Sequence, residues 1–173
     1  MNQWFTADTH FGDKKIIHLA HRPFKNVDTM DRILIQNWNA RVKPEDIVYH
    51  IGDFCYRGVS KYSKYLEKLN GTIIVIKGNH DRNNGVKTIL ESATIKHGGH
   101  RLYLVHRPFN CNPNIKINLV GHVHKNWKFR VKRCGLFKKV ILINVGVDVH
   151  NFRPVNINEL LSEYSKWNAL RRK

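Results

Sequence analysis

Short apolar runs recur along the whole chain, and this repetition limits the folds that the sequence can adopt. The six runs are Trp4 to Ala7, Ile47 to Ile51, Ile73 to Ile76, Leu102 to Val105, Ile117 to Val120 and Val140 to Ile143. Runs of this length, bounded by turn residues, are typical of buried β-strands. Hydrophobic residues make up 42% of the 173 residues, which is enough to surround such strands with a sizeable core.

Helical patterns separate the first three runs. Apolar residues recur at helical spacing from Met30 to Trp38 and stop before Pro44. A second helical segment is predicted between a cap at Ser60 and the turn at Asn70-Gly71. The resulting β-α-β-α-β order predicts parallel strands joined by right-handed crossovers, and ligands of such sheets bind beyond the carboxyl ends of the strands.

The pattern changes after the turn at Asn83-Asn84-Gly85. Short strands with tight turns follow, including a turn at Gly98-Gly99 and a hairpin around Cys134-Gly135. A terminal helix is predicted from about Ile157 onward. Because the sequence contains no domain linker, we predict one α/β domain over residues 1–173 that combines two sheets in a sandwich.

Polar residues that can bind metals follow the strand runs directly. They are Asp8, His10, Asp53, Asn79, His106, His122 and His124. Imidazole, carboxylate and one amide oxygen suit divalent ions such as Mn²⁺, Fe²⁺ or Zn²⁺ better than a thiolate site would. These residues are too many for one tetrahedral ion, and a carboxylate such as Asp53 can bridge two ions about 3.5–4 Å apart. The sequence therefore predicts a dinuclear metal site at one rim of the sandwich.

The spacing of these motifs adds two expectations. Because residues two apart in an extended chain project to the same side, both members of Asp8/His10 and of His122/His124 are expected to reach the site. Three glycines that precede motif residues are expected where the chain turns sharply or approaches an ion or a phosphate closely. They are Gly52, Gly78 and Gly121.

The motifs occur in a fixed order between Asp8 and His124, namely D-x-H, G-D, G-N-H-D, H and G-H-x-H. In this order, each directly after a predicted strand, they resemble the signature of the calcineurin-like metallophosphoesterase superfamily. The segments from Thr6 to Phe11 and from Asn144 to Asp148 resemble a small phage and bacterial branch of it. The resemblance implies a four-layer α/β/β/α sandwich of two mixed sheets, with a dinuclear metal site at the carboxyl ends of the strands.

The resemblance also implies a role for each motif residue. The ligands of the first metal would be Asp8, His10, Asp53 and His124. Those of the second would be Asn79, His106 and His122, with Asp53 bridging both ions. The two ions would be divalent, with Mn²⁺ first and Fe²⁺, Zn²⁺ or Ni²⁺ as alternatives. His80 would be the catalytic histidine, and Asp81 the carboxylate that orients it.

Three arginines are candidates for contacts with substrate phosphate. Arg57 belongs to the segment from Gly52 to Gly58, which resembles the GDxVDRG element of the protein Ser/Thr phosphatases, although Tyr56 stands where those enzymes carry Asp. Arg82 and Arg107 flank the predicted site residues. Each is placed either to bind phosphate through its planar guanidinium or to remain in solvent.

Composition limits the partners and the compartment. Lys and Arg number 30 against 13 Asp and Glu, and the formal net charge of +17 attracts anions, with nucleic acid or phosphorylated substrates as candidates. No apolar run approaches the roughly 20 residues that span a bilayer, and the N-terminus lacks a signal-peptide pattern, so we expect a cytoplasmic protein with no membrane segment. Cys55, Cys111 and Cys134 lack CxxC spacing, which argues against a disulfide framework and a thiolate zinc site.

The function expected from these features is metal-dependent hydrolysis of a phosphate ester. A metal-bridging hydroxide would attack phosphorus, and His80 would protonate the leaving oxygen. The basic charge favours phosphodiesters, meaning nucleotides or nucleic acid. Three alternatives stay open at this point: a phosphomonoesterase or protein phosphatase, a non-catalytic metal-bound scaffold, and a basic nucleic-acid-binding module without chemistry.

Overall fold

The computed structural model describes residues 1–56, 62–82, 85–97 and 99–171. Its strands and helices, in chain order, are β1 (Gln3–Thr6), α1 (Lys14–Leu19), α2 (Val27–Asn39), β2 (Ile47–His50), α3 (Ser63–Leu66), β3 (Thr72–Val75), β4 (Ser92–His97), β5 (His100–Val105), β6 (Ile117–Val120), β7 (Phe129–Cys134), β8 (Lys138–Asn144) and α4 (Ile157–Leu170). Every predicted apolar run contributes to a strand, and the hairpin around Cys134-Gly135 and the helix from Ile157 are confirmed. Ser60, Asn83-Asn84 and Gly98, where a cap and two turns were predicted, lie outside the described residues.

Two sheets form the centre of the fold. The first contains the parallel strands β1, β2 and β3 in that spatial order, as the β-α-β-α-β pattern predicted. The second has the order β4-β5-β6-β8-β7, in which β5, β6 and β8 are parallel, whereas β4 and β7 are antiparallel to their neighbours. The predicted α/β sandwich of two sheets flanked by helices is therefore confirmed, but only the second sheet is mixed, since all three strands of the first are parallel.

The inner core lies between the two sheets. Its strand residues are apolar on the inward side, and several are fully buried. Among them are Phe5, Ile51, Leu104, Leu119 and Ile143. Burial of each such side chain contributes about 1.5–3 kcal/mol to folding, so this layer holds the sheets face to face.

A second core lies between the first sheet and the helices α1 to α3. Trp4 and Val48 project from the strands towards Met30, Leu34 and Trp38, which share the buried face of α2. The helical spacing of these three residues explains the orientation of α2, because only one face of the helix is apolar. The helix thereby fixes the outer side of the sheet whose strand ends carry the first motifs.

Helix α4 begins with a capping box. Asn156 Oδ1 accepts a hydrogen bond from Glu159 N–H (2.9 Å), and Glu159 Oε2 accepts one from Asn156 N–H (3.3 Å). Its apolar face places Tyr164 and Trp167 against Phe129 of β7, and the helix also contacts β1. Because β1 and β7 are edge strands, α4 covers one edge of both sheets.

The second sheet also has an outer face, which points away from the inner core. It carries the cluster Val105, Val120, Val140 and Leu142, against which Tyr103, Cys111, Trp127 and Cys134 pack. The covering side chains come from strands and loops of the same half of the chain. Loop residues after β5 therefore lie across this face.

The carboxyl ends of the parallel strands in both sheets lie at one edge of the sandwich. Ala7 and Gly146, which follow β1 and β8, form a parallel bridge that joins the sheets there. The loops after β1, β2, β3, β5 and β6 meet at this edge, as expected for parallel strands. No helix in the described ranges has the length and the apolar character needed to cross a membrane.

Candidate metal centre

Left-handed backbone conformations are concentrated in the loops that follow the strands. Five of the predicted metal ligands have a positive φ: Asp8 (58°), His10 (49°), Asp53 (57°), His122 (73°) and His124 (45°). Such a conformation costs a non-glycine residue on the order of 1–3 kcal/mol, and it persists where the surrounding structure enforces it. Strain of this kind clusters at functional sites, so the backbone alone marks these loops as a site.

The strained loops gather six predicted ligands into two clusters. The first cluster is Asp8, His10 and His124, the second is Asp53, His106 and His122, and within each the candidate ligand atoms all lie within 4.8 Å of one another. From strand alternation we predicted that His122 and His124 project to the same side of the chain. Both residues instead have left-handed φ values, which turn their side chains into different clusters.

Asp53 lies between the two clusters. Its Oδ2 is 3.2 Å from His106 Nε2 and 3.6 Å from His10 Nε2. Asn79 Oδ1 lies 3.1 Å from the same His106 nitrogen, which places the amide beside the second cluster. Burial disfavours the charge on Asp53, but its hydrogen bond to His106 and the nearby His10 hold the pKa of the carboxyl well below its usual range. This carboxylate is in a position to serve both clusters.

The donor atoms of the clusters fit divalent cations. His10 Nε2 is buried and has no hydrogen-bond partner among the described residues, so its lone pair is available to an ion. Burial opposes a proton on His106, yet its hydrogen bond to Asp53 and the field of Asp8 raise its pKa to about 9. The carboxylates therefore leave negative charge that a cation, either a proton or a metal, must offset.

Hydrogen bonds fix the ring orientation of one histidine in each cluster. His106 Nδ1 lies 2.8 Å from the backbone oxygen of Ile51, and His124 Nδ1 lies 2.8 Å from Asp148 Oδ2. If Nδ1 donates in both rings, each Nε2 is left to bind an ion. Asp148 is held in turn by Arg22, whose Nε donates to Asp148 Oδ1 (2.8 Å).

Asp148 and Arg22 were not predicted as site residues. Arg22 is buried, and its guanidinium also donates to the backbone oxygens of Asp8 (2.6 Å) and Thr9 (3.0 Å). It therefore supports the loop that carries the first ligands. One signal in the sequence could have identified Asp148, since it is the first acidic residue after Glu91 in an otherwise basic stretch.

Asp81 is buried and binds the backbone around the second cluster. Its Oδ2 accepts hydrogen bonds from the N–H groups of Asp53 (2.7 Å) and Gly78 (2.7 Å), and its Oδ1 accepts one from Phe54 N–H (3.0 Å). These bonds tie the loop after β2 to the loop after β3. Asp81 therefore positions the backbone of Asp53, while its expected action on His80 stays a prediction.

His80 is exposed beside the first cluster. Its ring centroid lies 5.2 Å from that of His10, and its backbone N–H donates to Asp53 Oδ1 (2.8 Å). The ring is thus held next to buried ligands while it faces solvent.

Two of the motif glycines are required by close packing. A Cβ on Gly78 would lie 2.2 Å from Asp53 Oδ1, and a Cβ on Gly52, which has φ +84°, would lie 2.6 Å from His106 Nδ1. Any larger residue would displace a candidate ligand. The predicted close approach of the backbone at these positions is therefore present.

A cavity of about 330 Å³ opens beside the second cluster. Asn79 and His106 line it together with three cationic side chains, Lys77, Arg82 and Arg107, and with Glu91, whose Oε1 lies 3.4 Å from Lys77 Nζ. The two arginines that were predicted as phosphate contacts therefore share one cavity, which suits an anion. The third predicted arginine, Arg57, lies outside the described residues.

The chain is similar to known proteins over most of its length. Residues 1–154 match the family described as the calcineurin-like phosphoesterase superfamily domain. An uncharacterized protein of Methanocaldococcus jannaschii is 32% identical in an alignment that covers 97% of this chain and 94% of that protein. The solved structure of a protein of unknown function from Aquifex aeolicus matches with a TM-score of 0.70 and 25% identity, over 92% of this chain and 97% of the other. The chain thus belongs to the calcineurin-like phosphoesterase superfamily.

Proposed function

We propose that this protein hydrolyses phosphodiesters of nucleotides or nucleic acid, and that the reaction depends on two divalent ions. The observation that carries the proposal is the pair of ligand clusters around Asp53, placed next to a cavity lined by cationic side chains. Bound divalent ions, Mn²⁺ first, would supply a water of lowered pKa and would offset negative charge on the phosphate oxygens.

The side chains of the protein would bind the two ions and the substrate phosphate. Asp8, His10 and His124 would hold one ion, and His106, His122 and Asn79 the other, with Asp53 between them. Arg82 and Arg107 line the adjacent cavity and would bind the substrate phosphate through charge-assisted hydrogen bonds. Positioning and charge neutralisation of this kind are the main requirements for attack at phosphorus.

His80 would donate a proton to the leaving oxygen. Its ring is exposed and lies beside His10, outside both ligand clusters, so it is available for proton transfer. A metal site that served only as a scaffold would not need an imidazole in this place. The position of His80 therefore favours an enzyme over a non-catalytic scaffold.

The preference for diesters is supported by the charge of the whole chain. The formal net charge of +17 favours polyanions such as nucleic acid, whose backbone links are phosphodiesters, whereas the cations of the cavity suit a phosphate of either kind. A phosphomonoesterase would use the same centre on a substrate that carries one more negative charge. The two activities can therefore be separated only by assay.

The test is a comparison of two aryl substrates that share one leaving group. Metal-free protein is reloaded with Mn²⁺, Zn²⁺, Fe²⁺ or Mg²⁺, and the hydrolysis of bis(4-nitrophenyl) phosphate is compared with that of 4-nitrophenyl phosphate. We expect metal-dependent turnover with a higher kcat/KM for the diester. A higher kcat/KM for the monoester, or no hydrolysis of either ester with any of the metals, would overturn the proposal. Asp53→Asn serves as the control for background hydrolysis.

A further inference from the structure

The positive charge of the chain is unevenly distributed. Between Ser92 and Val147 the sequence contains no Asp or Glu, whereas it contains 11 Lys and Arg. This stretch includes all five strands of the second sheet and the loops between them. Lys128 pairs with Glu163 of α4 (2.7 Å), but the stretch itself supplies no carboxylate to its other cations, a pattern that favours a polyanion as partner.

An exposed aromatic ring lies within this basic surface. Phe109, in the loop that follows β5, is 87% exposed, although large apolar side chains are normally buried. Lys132 of β7 places its Nζ 5.4 Å from the centroid of the ring and 3.3 Å from the Phe109 backbone oxygen. Lys132 thus holds the loop in place while the ring remains accessible to solvent.

The ring is close to the metal centre. Phe109 is three residues after the ligand candidate His106, so their Cα atoms are at most about 11 Å apart. Arg107 and Asn110, on either side in the chain, both line the cavity beside the second cluster. On the other side, Arg130 lies on the same face of β7 as Lys132, and both border the groove next to Phe109. Cations therefore flank the ring in two directions.

We infer that Phe109 is a stacking platform for a base of a single-stranded nucleic acid. The phosphate next to that base enters the cavity lined by Arg107, and the strand continues over Arg130 and Lys132. This assignment rests on the proposed phosphodiesterase function, whose substrate class it narrows. A flat exposed ring between cations is the arrangement that single-strand binding sites use, because every base offers a face for stacking.

The chemistry of the surface favours this ligand over other polyanions. Inorganic polyphosphate would use the cations but would leave the ring unused, and a phosphorylated peptide does not offer a flat ring beside each phosphate as a single strand does. In a double helix the base faces are already stacked on one another, so a duplex gains nothing from Phe109. The ring is thus the feature that separates single strands from other anions.

The test measures binding of a fluorescently labelled oligothymidylate to the Mn²⁺-loaded protein by anisotropy at low salt. All variants carry His80→Ala so that the bound strand is not consumed. Phe109→Ala should weaken binding roughly 5- to 150-fold, the range that corresponds to the loss of one stacked base. Phe109→Trp should restore it. The matched control is Phe137→Ala, since Phe137 is 90% exposed at the turn between β7 and β8 but away from the cavity.

Inorganic polyphosphate is the second ligand in the same assay, and its affinity should be unchanged by Phe109→Ala. The platform would be overturned if Phe109→Ala bound the oligothymidylate as tightly as the protein that retains Phe109. It would also be overturned if Phe109→Ala lost as much affinity for polyphosphate as for the oligothymidylate. Hydrolysis of bis(4-nitrophenyl) phosphate is measured separately on the protein with both His80 and Phe109 intact, so that the proposed function is tested apart from the platform. If no diester is hydrolysed but oligothymidylate binding depends on Phe109, the proposed function fails and the platform stands.

Discussion

The two ligand clusters differ in how firmly their side chains are held. In the first, Asp8 and His10 are buried, and His124 is oriented by Asp148, which Arg22 holds in turn. In the second, Asp53 and His106 are buried, but His122 is exposed, and the cavity opens beside this cluster. The first cluster is therefore enclosed, and the second faces the space that a substrate would enter.

The pKa values of His124, in the first cluster, and His122, in the second, differ in the same way. Burial acts against the charged form of both. For His124 the hydrogen bond to Asp148 outweighs it and raises the pKa, whereas for His122 burial and the neighbouring His106 lower the pKa. The difference indicates that His124 is fixed by a carboxylate partner and that His122 is a neutral ring at the open side. We expect the first cluster to retain its ion more tightly than the second.

The largest effect is expected from Asp53→Asn, because Asp53 is the one carboxylate among the described residues that lies between both clusters. The amide offers less negative charge to either ion, so both metals should be lost and hydrolysis with them. His10→Ala and His122→Ala should each lose one metal. Bound metal is measured by elemental analysis after desalting. The assignment of Asp53 as the bridging ligand would be wrong if Asp53→Asn retained two metals per chain while His10→Ala or His122→Ala lost both.

The next effect concerns His80, which lies outside both clusters. His80→Ala should keep both metals and lose about 10²–10⁴-fold in turnover when the leaving group is an alkoxide or a nucleoside, the usual loss for a general acid. With 4-nitrophenolate, which is stable as an anion, the loss should be much smaller. The measurement is the ratio of unsubstituted to variant turnover on two diesters that differ only in the leaving group.

Metal content is checked in each of these samples. Equal losses on the two diesters, with both metals bound, would mean that His80 positions the phosphate and does not donate the proton. Loss of a metal from His80→Ala would indicate that His80 is a metal ligand. The claim that the proton donor lies outside both ligand clusters would then be wrong.

A smaller and more selective effect is expected from Asp148→Asn. Removing the charge that orients His124 should weaken metal affinity of the first cluster by about 10- to 100-fold and leave the second unchanged. Asp46→Asn is the matched control, since Asp46 is also buried but binds Asn2, Trp4 and Lys43 before the start of β2. Metal titration of the apo-protein measures both affinities. Equal weakening in the two variants would indicate a general loss of stability.

The strands and the side chains that form the two clusters could be predicted from the sequence, because both depend on local pattern. The apolar runs predicted the strands, and the order of the motifs predicted which residues are candidate ligands. The division of ligands between clusters was not accessible by strand alternation, since His122 and His124 adopt left-handed conformations that only their surroundings enforce.

The orientation of the His124 ring could not be predicted from the sequence for a different reason. It depends on contacts between Arg22 and Asp148, which are 126 residues apart in the chain and meet only when both sheets are assembled. Neither residue belongs to a metal-binding motif. The local signs of Asp148 were the lack of acidic residues before it and its place in the segment from Asn144 to Asp148 that resembles the phage and bacterial branch, and neither sign points to His124.

The most direct test of the shared centre is electron paramagnetic resonance of the protein loaded with Mn²⁺, combined with a count of bound ions. A common Asp53 ligand would hold two ions about 3.5–4 Å apart, close enough for their spins to couple. We predict two Mn²⁺ per chain with the spectrum of a coupled pair, and loss of that spectrum in Asp53→Asn. One Mn²⁺ per chain, or the six-line spectrum of isolated ions at full occupancy, would contradict a dinuclear centre.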